Sequence, residues 1–138
     1  MKRSITIIAF LISIKVFGGD SIPENNKVVL NYGLSKIGQT IGSGICFDLV
    51  DSALIQVNPH WKEEIRNGEH VVYGKKISSK KIKAGDIILL PNHVAIVYKI
   101  DDNGIYLIEQ GAISGLNVVS KTGHPLEIKE DAVFYRPY

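Results

Sequence analysis

The chain predicts an α+β fold, with helices packed on an antiparallel sheet, and three observations predict it. Helix-like apolar spacing is confined to the first half, ending near Val57. Short β-like runs fill the second half, from Asp86 onwards. The two kinds do not alternate as they would around a parallel sheet, and Asn103-Gly104 is a strong hairpin signal. A length of 138 residues suits one domain with a sizeable core.

The N-terminus stands apart from that fold. Met1-Lys2-Arg3 is a basic head, Ser4 to Ile14 is almost wholly apolar, and Gly18-Gly19 offers small residues for cleavage. This order matches a secretory signal, so 1–19 are expected to be removed and 20–138 to form the domain. The apolar run, about 11 residues, is short of the ~20 a membrane span requires, so no stable span is expected after cleavage. Lys2, Arg3 and Lys15 lie in this segment, leaving 13 basic against 14 acidic residues and a net charge of −1. The apparent basicity therefore belongs to targeting, and no nucleic-acid partner is expected. A secreted or periplasmic monomer is the expectation. Cys46 is the only cysteine, so an exported chain has no internal disulfide to form. Such a thiol is either put to use or deeply buried.

Pro23 to Asn26 reads as the lead into a first helix, with Val28, Val29, Tyr32, Leu34, Ile37 and Ile41 loosely on one face. Gly38 and Gly42-Ser43-Gly44 end it in a turn. A second helix starts near Cys46 and buries Leu49, Val50, Ala53, Leu54 and Val57, until Asn58-Pro59 stops it. Trp61 to Arg66 suits a helical turn, and His70 to Tyr73 a short strand. Lys75 to Lys83 holds five lysines around Ile77 and Ile82, the composition of a solvated loop or a lysine-guarded edge strand. A meander follows. Asp86–Leu90 turns at Pro91-Asn92 into His93–Ile100, which turns at Asn103-Gly104 into Ile105–Gln110. Leu116–Ser120 and Ala132–Tyr135 are further strands, with a break over Gly111–Gly115.

The chemistry centres on Cys46. A thiol at a helix start lies at the positive end of the helix dipole, which favours thiolate, and its own N–H is near the free donors of the first turn. His93, at the head of a strand beside a turn, is the best candidate base. The commoner role of such a histidine is a strand end satisfied by backbone. His60, His70 and His124 read as loop residues. The third member belongs on the strand returning from the hairpin, where Ile105, Leu107 and Glu109 share one face and Gln110 points the other way. A tight turn brings Glu109 to His93, whereas a bulge is expected to favour Gln110. The four histidines and one cysteine show no metal-ligand spacing, and no P-loop or dinucleotide motif is present, so neither metal nor cofactor is expected.

Three blocks, in order, resemble the CHAP branch of the NlpC-type, papain-like cysteine peptidases. They are Gly44-Ile45-Cys46-Phe47-Asp48, then Ala84-Gly85-Asp86-Ile87-Ile88-Leu89-Leu90, then His93-Val94-Ala95-Ile96-Val97 with Ile105 to Gln110. The resemblance implies a papain-like core, Cys46 as nucleophile, His93 as base and Glu109 as its orienting carboxylate. It also implies an amide or peptide substrate, in many relatives peptidoglycan. Gly111 stands where the family often has Asn, and the segment between Asp86 and His93 is short, which bears on substrate more than on chemistry. A secreted thiol amidohydrolase or peptidase is thus expected. Acyl transfer or host-protein cleavage at the same site, and a non-catalytic binding or effector module with a buried thiol, are the alternatives.

Overall fold

The computed structural model describes residues 21–61, 73–111 and 117–138. The segment expected to be a signal, most of the turn expected after Trp61, residues 70–72 of the expected strand and most of the Gly111–Gly115 break lie outside the described residues. Two helices, α1 (Glu24–Ser35) and α2 (Cys46–Val57), precede six strands. The strands are β1 (Lys75–Ile77), β2 (Ile87–Leu90), β3 (His93–Asp101), β4 (Gly104–Gln110), β5 (Val119–Lys121) and β6 (Val133–Arg136). They form one antiparallel sheet in the order β1-β6-β2-β3-β4-β5. The fold class is α+β, as the sequence predicts. β2 to β5 run as the expected meander. β6 departs from it, returning to pair with both β1 and β2. The lysine segment contributes β1, an edge strand, whose Lys75 and Lys76 are exposed.

The sheet separates two clusters. Val94 and Ile96 of β3 and Ile108 of β4 pack with Val29 of α1 and with Leu49, Val50, Ala53 and Leu54 of α2. Ala95, Val97, Ile105 and Leu107 alternate to the other face and pack with Ile88 and Phe134. α2 matches its predicted face, except that Asp51 is also fully buried. The first helix matches only in part: Val29 is buried and Tyr32 and Ile41 pack on the core, but α1 buries Asn26 and Gly33 instead of Val28 and Leu34, and Ile37, beyond its end, is exposed. The cause is a seven-residue stripe that the apolar count overlooks. At Gly33 a side chain would meet Ile96 and Ile108 at 3.2 Å, so the missing Cβ lets α1 close on the sheet. Asn26 is buried because its amide has partners, donating to Asp86 Oδ1 at 2.7 Å and to the Ala84 carbonyl at 3.0 Å.

Asp86 is the polar hub of this end. Besides Asn26 it accepts from the Lys83 N–H at 2.7 Å and from Arg136 Nε and Nη2 at 3.1 and 2.9 Å. One carboxylate thereby joins α1, the start of β2 and the end of β6. Gly85 beside it has φ +87°, and its Cα faces the Asn26 carbonyl so closely that a Cβ would collide with it. Gly85→Ala therefore carries both left-handed strain and a clash with backbone. It is expected to cost at least about 2 kcal/mol, read as a lower urea midpoint with unchanged m.

Candidate active site

Cys46 is the first residue of α2 and is partly buried. Ile45, the N-cap, is extended and supplies no side-chain cap. The preceding loop is held from two directions. Asp48, in the first turn, accepts from the Ser43 N–H at 2.8 Å and the Ser43 hydroxyl at 2.6 Å. From the sheet, Gln110 accepts from the Ile41 N–H at 2.8 Å and donates to the carbonyls of Ile41 and Ile45 at 3.0 and 2.8 Å. The edge next to β4 adds more: Gly38 N–H donates to the Val119 carbonyl, and the Thr40 hydroxyl to that of Asn117. The loop before Cys46 is thus laced to the end of the β3–β4 hairpin, a packing that no local periodicity reports.

His93 and Glu109 meet. Nε2 stands 3.1 Å from Oε2, with the two side chains only 6% and 1% exposed. The contact becomes an ion pair only when the ring is protonated, and neither ring nitrogen makes an aligned hydrogen bond with the described residues. The expected dependence on strand register is reversed. The hairpin turns over Asp102-Asn103, with Asp101 opposite Gly104, and the Asp101 carboxylate accepts from the Asn103 N–H at 2.8 Å. Asn103-Gly104 is therefore not the central pair of the turn, and the positive φ, +136°, falls on Gly104 alone. That register, continued, sets His93 on the face of Gln110. A bulge between Val97 and Lys99 shifts it by one residue, after which Val97 faces Leu107 and Ile96 faces Ile108. The slip moves every later side chain to the other face, so it is the bulge that gives Glu109 to His93 and turns Gln110 toward the helices.

Burial, the larger influence, holds the His93 imidazole below its ordinary pKa of 6.5, while the Glu109 carboxylate pulls the other way. The ring is therefore neutral at pH 7, the form that can accept a proton. His93 and Glu109 continue the rows of Ala95–Val97 and Ile105–Leu107, the face away from the helices. Cys46 packs against the helix-side cluster. Past the end of β4 the chain lies against the Cys46 loop. A Cβ on Gly111, next in the Glu109 row, would lie 3.4 Å from the Gly44 carbonyl and 3.8 Å from the Cys46 nitrogen.

Sequence pattern assigns no role to Tyr73, which is 3% exposed and borders this site. Its ring stacks on Trp61 at 5.7 Å and meets Phe47 and Tyr135 edge-on at 6.1 and 5.9 Å. Burial first, then Asp51, Cys46 and Tyr135, hold its hydroxyl protonated far above the usual phenol range. The aromatic residues Phe47, Trp61 and Tyr73 are the available signal, but they are scattered along the sequence. His60 and His124 are exposed, as loop residues should be, and His70 lies outside the described residues. Among the described residues no three His, Cys, Asp or Glu side chains group as metal ligands, and no helix is long and apolar enough to cross a membrane. A scan of family models and searches of curated proteins and of solved structures find no match to the chain.

Proposed function

We propose that the chain is an exported thiol amidohydrolase or peptidase with a papain-like core of the CHAP/NlpC type, acting on a peptide or peptidoglycan-like amide. The observation that carries this reading is the buried His93–Glu109 contact, 3.1 Å, at the sheet end to which Gln110 ties the Cys46 loop. With Nε2 taken by Glu109, Nδ1 is the nitrogen to receive the thiol proton. Cys46 Sγ attacks the amide carbonyl, and the oxyanion accepts from the Cys46 N–H at the head of α2. His93 returns its proton to the leaving amine as the C–N bond breaks. Water then cleaves the thioester, passing a proton to His93 and on to the departing thiolate. Glu109 keeps the ring in the working tautomer, a logic that recurs on unrelated folds. An added amine or alcohol in place of water would make the same site a transferase.

A second reading has its own support. His93 and Glu109 lie in rows facing away from the helices, and Cys46 packs on the helix side. In a binding or effector module they would be a buried structural pair and an unrelated core thiol. Glu109→Gln separates the two. Removing the carboxylate charge takes away what favours the imidazolium, so the acid limb of kcat/KM moves to lower pH. Loss of the tautomer control slows turnover by roughly 100-fold or more. The assay is release of new amino groups from cell-wall peptide fragments across pH 4–8. A limb that stays in place, or rises, removes His93–Glu109 from the mechanism.

A further inference from the structure

We infer that Gln110 is a positioning residue that aims the Cys46 N–H at the reacting carbonyl oxygen. The inference rests on the reading of Cys46 as nucleophile and adds to it a residue on the sheet that sets the oxyanion donor. Gln110 is fully buried. Its carboxamide has one accepting oxygen and one amino group, and the loop before α2 offers one N–H and two carbonyls to match them. The bond that matters most is Nε2 to the Ile45 carbonyl, 2.8 Å. That carbonyl and the Cys46 N–H belong to one planar trans peptide, so they point in opposite directions. Holding the carbonyl toward β4 points the N–H the opposite way, away from β4. A rotated peptide would instead present a carbonyl where an oxyanion needs a donor.

The placement on β4 adds a second consequence. Glu109 and Gln110 are consecutive and point to opposite faces, one to His93 and the other to the Cys46 loop. The residues that orient base and oxyanion donor are thus neighbours on a single strand, with no flexible segment between them. Three close substitutes each lose part of this match. Glutamate keeps an acceptor for Ile41 but meets two carbonyls with a negative charge, methionine keeps the length with no donor, and asparagine is one methylene short.

The test uses Gln110→Glu and Gln110→Met in the full mature chain, with two readouts. One is the pair of steady-state parameters, kcat and KM, on a cell-wall peptide amide. The other is the rate at which iodoacetamide alkylates Cys46. Amide hydrolysis passes through an oxyanion and alkylation does not. The expected result is a roughly 10- to 1000-fold fall in kcat with little change in KM, while alkylation stays within about threefold of wild type. Unchanged kcat in a folded variant overturns the inference. So does a parallel loss of kcat and alkylation, or loss of fold in both variants, since Gln110 would then serve stability alone. A wild-type chain that cleaves no amide overturns the underlying reading of the site, which an active wild type with an active Gln110→Glu variant does not.

Discussion

Cys46→Ala is expected to reduce amide hydrolysis by at least about 1000-fold while leaving the fold intact. The size follows from the role: without the sulfur there is no thioester, and only binding and oxyanion donation remain. The fold survives because Cys46 is partly buried at the tip of α2, and its neighbours are held by backbone and by Gln110 and Asp48, not by the thiol. Alanine is also an excellent helix former. Circular dichroism and the melting temperature should match wild type within a few degrees. The readout is liberated amino groups from cell-wall peptides, and unchanged release by the variant would remove Cys46 from the chemistry.

Asp86→Ala is expected to cost about 3 kcal/mol of stability. Asp86 is fully buried and accepts four hydrogen bonds, two of them from Arg136. Its removal leaves the Lys83 N–H and the guanidinium without their partner, and breaking a buried pair from one side is costly. The Arg136 side chain is 23% exposed, which lets water recover part of the loss. A melting temperature lower by roughly 10–15 °C is expected. Replacing both residues, Asp86→Ala with Arg136→Met, should recover part of it, because no charge is then stranded. The effect reaches the site indirectly: Asp86 anchors the start of β2, and the β2–β3 hairpin delivers His93 opposite Leu90. A double variant no more stable than Asp86→Ala alone would show that the guanidinium was not the group left unsatisfied.

What the sequence made legible is what local pattern encodes. The apolar rows of α2, the alternation along β3 and β4, and the turn chemistry near Asn103 are short-range signals. They singled out Cys46 and His93, and placed Glu109 on the strand that returns to His93. What stayed hidden depends on contacts between distant residues. Nothing in Val97-Tyr98-Lys99 marks an extra residue in the ladder, yet that residue decides whether Glu109 or Gln110 faces His93. Asn26 reads only as part of the lead into a helix, and its partner Asp86 lies 60 positions later. The insertion of β6 between β1 and β2 is a pairing across some 50 residues, as Lys76 with Tyr135 and Ile88 with Phe134 show. Gln110 shows the same limit. Its alternation was readable, but its loop partners, 65 and 69 residues away, were not.

The central claim is that Cys46 and His93 act as one unit. The most direct measurement is the rate of Cys46 alkylation by iodoacetamide at neutral pH, in wild type and in a folded His93→Gln variant. Cys46 is the chain's single cysteine, so the modified sulfur is never in question. A base that draws off the thiol proton raises thiolate and hence rate. Wild type is expected to react at least about tenfold faster than the variant. Equal rates in the two proteins would contradict the claim, and would leave His93–Glu109 as a buried structural pair beside an independent thiol.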